Sequence, residues 1–309
     1  MTTTKKIIGL GLSSLTLLNI ATAGDISLPT APASNSGFAN AIPSISNPTL
    51  AELAVPQTRI HALAIQHKLP SSISIGGGQV ALGGDVNVFA LQIEYALNER
   101  LSIIASKDGF IDFNPDNTLT DQTGFANVAA GLKYAFIYDT ANQFAASIAG
   151  SIELPTGNRD VFQGYGDGAV NLTVSTLKLK DKWQFSTATG LHLPFDTDAE
   201  SVTGFASAHV SYRLTERITP IFEVNWFRVL NEGNGTETPI SATDFEGGDF
   251  FNLGSSNAGA NRDIVTAALG LRYKICDKTQ VGLAYEIPLT NEEDNLMDSR
   301  ITLDLVYKF

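Results

Sequence analysis

The sequence predicts an all-β fold, a transmembrane antiparallel up-and-down β-barrel of about twelve strands. Apolar and polar side chains alternate from residue 71 to residue 309, and short turns alternate with long loops along the same stretch. Charged residues make up 17% of the chain, against roughly 25% in soluble proteins. After residue 30 no run approaches the ~20 apolar residues of a membrane helix. The chain can therefore cross a bilayer only with strands that close into a barrel.

The first 23 residues have the three parts of a signal peptide. Lys5 and Lys6 supply positive charge, Ile7–Ile20 is mostly apolar, and Ala21-Thr22-Ala23 is a small-residue cleavage site. We expect export to the bacterial envelope with cleavage before Gly24.

Residues 24–70 differ in composition from the rest of the chain. Gly24–Pro48 is rich in Pro, Ser, Ala and Asn and predicts a linker. Leu50–Leu69 is more apolar and predicts a short helix interrupted by Pro56. The sequence leaves open whether this segment stays in the periplasm or enters the barrel as a plug. We expect the barrel itself to span residues 71–309.

Strand length separates a membrane barrel from a soluble β-sandwich. Runs such as Phe89–Leu97 and Val128–Tyr138 alternate over the ~9–11 residues of a tilted membrane strand, whereas soluble strands run ~5–6 residues. Weaker alternation completes the expected strand set at Ser72–Leu82, Leu101–Phe113 and Ala169–Leu179.

The connections favour the same fold. Turns such as Asn98–Arg100 and Lys180–Lys182 are short, and loops such as Pro155–Gly168 and Asn231–Arg262 are long. Outer-membrane barrels have short periplasmic turns and long extracellular loops, so an even number of strands places both termini in the periplasm. Loop 231–262 is the best candidate for folding into the lumen, because long loops without secondary structure are often functional.

Every second residue of the predicted strands should face inward, and the residues at these positions are polar or carry charges of both signs. The lumen is predicted to be lined by Gln92, Glu94, Lys133, Glu153, His192, His209, Arg213, Glu223, Arg272, Lys274, Glu286 and Asp304. These charges either line a narrow wet path or pair into salt bridges that close the lumen. Since eight strands are filled by side chains and sixteen leave an aqueous channel, we expect a narrow or plugged lumen.

Catalytic and metal-binding patterns are weak. His192 and His209 could meet across the lumen, but no Cys or carboxylate stands beside either at metal-ligand spacing. No G-x-S-x-G elbow is present, and a net charge of −12 argues against nucleic acid. Cys276 falls in an expected tight turn. We expect no enzyme activity, metal or cofactor, and a membrane-embedded hydrolase is the least favoured alternative.

Short motifs in the barrel region resemble known outer-membrane proteins. The ending Tyr307-Lys308-Phe309 resembles the C-terminal strand that the barrel-assembly machinery recognises. The order of three further motifs resembles the transporter family of the MetA pathway of phenol degradation: Tyr95–Leu101, Leu154–Gly157 followed by Gly166–Gly168, and Tyr212–Arg217. The resemblance covers residues 76–309 and implies passive or facilitated passage of small organic compounds, including hydrophobic ones.

Two functional hypotheses follow. The first is a porin-like channel or transporter for small organic solutes, hydrophobic or aromatic ones included, gated by loops or by residues 24–70. The second is a non-conducting structural or surface-recognition barrel that acts through its extracellular loops. Expected partners are outer-membrane lipid, lipopolysaccharide, the barrel-assembly machinery through Phe309, and a small-molecule solute.

Overall fold

The computed structural model describes residues 36–75, 78–234, 248–249, 263–291 and 296–309, which belong to one compact unit. Two 3-10 helices cover Ser36–Phe38 and Arg159–Val161. The strands are β1 (Arg59–Lys68), β2 (Ser72–Ile75), β3 (Gly78–Ala81), β4 (Gly84–Ala96), β5 (Leu101–Lys107), β6 (Phe110–Pro115), β7 (Gln122–Phe125), β8 (Val128–Asp139), β9 (Phe144–Leu154), β10 (Ala169–Lys180), β11 (Trp183–Pro194), β12 (Val202–Tyr212), β13 (Ile218–Asn231), β14 (Asp263–Lys274), β15 (Thr279–Pro288) and β16 (Ser299–Lys308).

These strands form a closed antiparallel barrel. From β8 to β16 each strand pairs with the next, β5 pairs with β4 and β8, and β6 pairs with β4 and β7. Strand β1 closes the sheet by pairing with β4 on one side and β16 on the other. Strands β5 and β6 both pair with β4 and are two halves of one barrel strand. Strands β7 and β8 continue each other in the same way. The barrel therefore has 12 strands, which confirms the predicted fold.

The barrel begins earlier in the chain than residue 71. Residues 59–68 form β1 rather than part of a helix, and Ser72–Leu82 contributes only the β2–β3 hairpin, which is not a barrel strand. The alternation in β1 was hidden because the small residues Ala62 and Ala64 face outward, while Leu63 and Ile65 face inward and are buried. A strand with its larger apolar residues inside reverses the pattern expected of a barrel in lipid.

The other strands follow the expected parity. Large apolar side chains such as Leu132, Leu269 and Leu283 are exposed on the outer face, and Leu269 reaches 69% exposure. Polar residues such as Lys133 and Glu223 point inward and are buried. No helix among the described residues is long and apolar enough to cross a membrane.

The two ends of the barrel differ in their connections. At the short-turn end, β4–β5, β8–β9, β10–β11, β12–β13 and β14–β15 are joined by turns, and Phe309 N donates to Thr58 O beside them. At the long-loop end lie the longer connections, including 69–83, 155–168 and 232–262. Loops are thus sorted by length onto opposite ends, as the sequence predicted.

Close approach of two strands makes Gly131 intolerant of a side chain. A Cβ there would lie 1.9 Å from Gly150 O and 2.5 Å from Ser151 Cα, so that the backbone of β9 would have to move. We expect Gly131→Ala to reduce the folded fraction, measured as the heat-modifiable band on detergent gels.

The matched control is Gly150→Ala on the paired strand, whose added Cβ would meet only Leu172 Cδ2 at 3.5 Å, an ordinary contact. Equal folded fractions for the two variants would contradict the close approach.

Candidate functional site

Residues 37–58, called here the lumen segment, lie inside the barrel. The segment begins at the short-turn end, where Phe38 packs edge-on against Tyr138 with ring centroids 5.1 Å apart. It reverses direction near Pro48 and Leu50, then returns to the short-turn end and continues into β1. Along its path Phe38, Ile45 and Val55 are fully buried.

The barrel wall holds the lumen segment mainly through the segment's main chain. Glu223 Oε2 accepts from Ser46 N at 2.7 Å, and Glu223 Oε1 accepts from Ile45 N at 3.1 Å. Gln184 accepts from Ile42 N at 3.0 Å and donates to Ile42 O at 2.8 Å. Charged and amide side chains of the wall thereby supply the hydrogen-bond partners that the backbone of a buried extended chain needs.

One buried ion pair supports the first half of the lumen segment. Arg272 donates to both carboxylate oxygens of Asp304, at 3.0 and 2.8 Å, and to Pro43 O at 3.2 Å. His61 Nε2 lies 2.7 Å from the same carboxylate. Bidentate geometry of this kind gives the strongest side-chain hydrogen bonds.

A second guanidinium joins the lumen segment to a loop at the opposite end. Arg300 Nη2 lies 2.6 Å from Glu286 Oε2 and donates to Ser46 O at 2.9 Å. Arg300 Nη1 donates to Asp249 Oδ1 at 2.7 Å. Asp249 belongs to the 231–262 loop that was predicted to fold inward, most of which lies outside the described residues.

Lys133 anchors the returning half of the lumen segment. Its Nζ lies 2.7 Å from Glu94 Oε1 and 3.2 Å from Glu52 Oε2. Glu52 is the one charged residue in the sequence of the lumen segment. Glu94 also pairs with Arg59 at 3.2 Å and accepts from Gln57 N at 3.1 Å.

A further polar cluster lies on the wall above the tip of the lumen segment. Lys107 Nζ is 2.5 Å from Glu153 Oε1, which also accepts from Asn127 Nδ2 at 2.9 Å. Asn171 Nδ2 donates to Glu153 Oε2 at 3.3 Å, and Asn171 Oδ1 lies 2.7 Å from His192 Nδ1.

Cavities lie on both faces of the lumen segment. The outer cavity, toward the long-loop end, measures about 1050 Å³ with its open mouth. Its lining combines apolar groups such as Leu50, Phe162 and Phe227 with charged groups such as Lys107 and Glu153. The inner cavity, toward the short-turn end, measures about 920 Å³ with its open mouth and is lined by basic residues such as Arg213 and Lys274.

The structure places the twelve sequence-selected residues as follows. Glu94, Lys133, Glu223, Arg272, Glu286 and Asp304 belong to the networks that hold the lumen segment. Gln92 donates to Pro48 O at 2.9 Å, and Glu153 and His192 line the outer cavity. His209 bonds Glu223 at 2.6 Å and Ser211 at 3.1 Å, while Arg213 and Lys274 line the inner cavity.

His192 and His209 do not meet. His192 contacts Asn171, whereas His209 contacts Glu223, and no group of three potential metal-ligating residues occurs in the described part of the chain. Sequence reasoning missed Arg300, Arg59 and Lys107. Arg300 shares the face of Asp304, four residues away on the same strand, and this parity was the available signal.

Removing one partner of the buried Arg272–Asp304 pair leaves the other charge uncompensated. We expect Asp304→Asn to lower the free energy of unfolding by about 3–5 kcal/mol, measured by denaturant unfolding in detergent. Asp277→Asn is the control, because the Asp277 side chain is 94% exposed and pairs with Lys274 in a turn. Equal unfolding curves for the two variants would contradict a stabilising role for the pair.

Comparison with solved structures shows the same fold in an outer-membrane channel. The COG4313 outer membrane channel from Pseudomonas putida F1 aligns with a TM-score of 0.60 and 16% identity over 84% of this chain and 98% of that one. The β domain of the Bordetella autotransporter BrkA aligns with a TM-score of 0.48 and 11% identity over 82% and 100% of the two chains. No curated protein matches the sequence.

The family comparison covers most of the barrel. The protein-family model described as the MetA-pathway of phenol degradation matches residues 73–297, which is more than half of the chain. Together with the twelve-stranded barrel and its outer-membrane structural neighbours, this match places the protein in the bacterial outer membrane. The chain belongs to the family of the MetA-pathway of phenol degradation.

Proposed function

We propose that this protein is an outer-membrane channel for small organic solutes, hydrophobic or aromatic ones included, and that the lumen segment closes it. The observation that carries the proposal is the position of residues 37–58, which fill the barrel between two cavities without being part of its wall. Membership of a family with channel neighbours supports passage of solutes through the barrel.

The lumen segment is attached in a way that permits displacement. Described residues of the segment add no strand to the barrel sheet. Pro43, Pro48 and Pro56 lack the N–H that a sheet partner needs. Displacing the segment therefore breaks side-chain contacts and leaves the strand ladder intact, and a barrel of this size without it approaches the width of aqueous channels.

The chemistry of the outer cavity suits solutes with apolar bodies. Leu50 from the lumen segment, Phe162 and Tyr165 from the 155–168 loop, and Phe227 from β13 all line it. In outer-membrane barrels the long loops face the outside, so a solute that enters from outside meets these apolar groups, and the charged groups beside them, at the tip of the lumen segment. Contacts with lipopolysaccharide and with the assembly machinery stay predictions.

Deletion of residues 37–57 tests the closing role. We expect the variant to form a heat-modifiable barrel and to pass a small sugar, which crosses lipid only slowly, into proteoliposomes several-fold faster than the intact protein. Absence of flux through a folded deletion variant would contradict the channel and favour the non-conducting alternative.

A reversible cross-link tests whether the segment must move. Asn47 Nδ2 lies 2.9 Å from Ser207 Oγ on β12, so we choose Asn47→Cys with Ser207→Cys, in a Cys276→Ser background, as the pair to be oxidised. We expect oxidation to suppress solute flux and a reducing agent to restore it, with Asn47→Cys alone as the control. Flux that is unchanged by oxidation, with the disulfide shown by mass spectrometry, would exclude movement of the segment as the gate.

A further inference from the structure

Charge is distributed unevenly between the two ends of the barrel. The connections at the long-loop end contain sixteen acidic and two basic residues, whereas the short turns contain four acidic and five basic residues. The negative charge of the chain is thus concentrated at the long-loop end. The connections counted at that end are residues 69–83, 116–121, 155–168, 195–201, 232–262 and 289–298, and the short turns are residues 97–100, 140–143, 181–182, 213–217 and 275–278.

The lining of the outer cavity has more acidic than basic side chains. Asp249 shows that ion pairs do not remove this excess. Its partner Arg300 also pairs with Glu286 at 2.6 Å, so that two carboxylates share one guanidinium. The bases of the lining are Lys107 and Arg228, and its acids are Glu52, Glu153, Glu200 and Asp249.

The lining of the inner cavity has the opposite excess. Three acids contribute to it, and all three belong to short turns. One of them, Asp277, is 94% exposed and pairs with Lys274 at 2.6 Å. The five bases of the lining are Lys182, Arg213, Arg217, Arg272 and Lys274.

Four of these bases lie opposite one another at the ends of adjacent strands. Arg213 N donates to Lys182 O at 2.8 Å, and Lys274 N donates to Arg217 O at 2.8 Å. Among the residues that the structure describes, neither Lys182 nor Arg213 pairs with a carboxylate. Like charges on opposite residues destabilise a sheet. The stability of the barrel therefore does not account for these bases.

Two cavities of opposite charge in series oppose ions of either sign. A cleft lined by one sign of charge focuses its field and accumulates counter-ions. A cation is attracted by the outer cavity and repelled by the inner one, and an anion meets the same two cavities with the opposite result. A neutral solute meets no such barrier at either cavity.

We propose that the channel selects neutral solutes and excludes both cations and anions, because an acidic outer cavity and a basic inner cavity lie in series along the lumen. This inference rests on the proposed channel function and names the charge class of its solutes. Arg213 and Lys182 determine the selectivity at the inner cavity, and Asp249 contributes to it at the outer cavity.

Charged thiol reagents measure the sign of the potential in each cavity. Thr203 on β12 lines the outer cavity and Thr219 on β13 lines the inner cavity, and both are partly exposed. We place one cysteine at either position in the full-length protein, in a Cys276→Ser background. The measured quantity is the ratio of modification rates by a cationic and an anionic methanethiosulfonate, normalised to a free thiol.

We expect the cationic reagent to be preferred at Thr203→Cys and the anionic reagent at Thr219→Cys. The two ratios should differ by roughly tenfold, because clefts of this kind carry potentials of several kT. Added salt should reduce the difference. Equal ratios at the two positions would overturn the proposal.

Removal of one positive charge tests the assignment to a named residue. Arg213→Gln should reduce the preference of Thr219→Cys for the anionic reagent several-fold and leave the ratio at Thr203→Cys unchanged. Lys278→Gln is the matched control, because Lys278 lies in a short turn at the same end but does not line the inner cavity. Equal effects of the two substitutions would remove Arg213 as a determinant of selectivity.

Tracer exchange across proteoliposomes tests the consequence for transport. Sorbitol, gluconate and N-methylglucamine share the same polyol chain and are neutral, negative and positive. Equal concentrations on both sides prevent a membrane potential from developing. We expect the intact protein to exchange sorbitol several-fold faster than either ion, and exchange of either ion as fast as sorbitol would overturn the selectivity.

The two measurements separate the two proposals. Opposite reagent preferences without exchange of any polyol would remove the channel function and preserve the charge difference between the cavities. Exchange of sorbitol together with equal reagent ratios would remove the charge selectivity and preserve the channel.

Discussion

The fold depends on the pairing of β1 with both β4 and β16. Backbone groups in lipid have no water to bond, so each barrel strand needs a partner on both sides. Closing the sheet at twelve strands satisfies that requirement and fixes the width of the lumen. The same closure turns every second side chain inward, which brings acids and bases from distant parts of the chain within a few ångströms of one another.

Those inward charges explain why a weakly charged segment fits among them. A buried charge is costly unless it is paired and hydrogen-bonded. Arg272 and Arg300 first neutralise Asp304 and Glu286, and then use their remaining donors on main-chain carbonyls of the lumen segment. Arg300 in addition holds Asp249 from the long-loop end. One guanidinium thus connects the segment to a loop on the opposite side of the barrel.

The sequence predicted the barrel because its signals are local and repeated. Period-two alternation identifies a strand, and loop lengths identify the two ends. Strand β1 was not predicted, because Ala62 and Ala64 on its outer face and Leu63 and Ile65 on its inner face are all apolar and give no alternation of polarity. The alternation along each strand also predicted that Glu223 and Asp304 face inward, but it carries no information about the residues that they contact. Their bonds to Ser46 and Arg272 depend on strand register and on the path of a segment without periodicity.

Both arms of the lumen segment emerge at the short-turn end, where Phe38 contacts Tyr138 and Thr58 contacts Phe309. The segment therefore forms an open loop that is inserted into the barrel and not threaded through it. Such a loop can enter after the wall is complete, and it can leave again without any strand separating. In topological terms, the barrel wall has the same closed strand order whether or not the lumen segment lies inside it, because the segment joins the wall where residue 58 continues into β1.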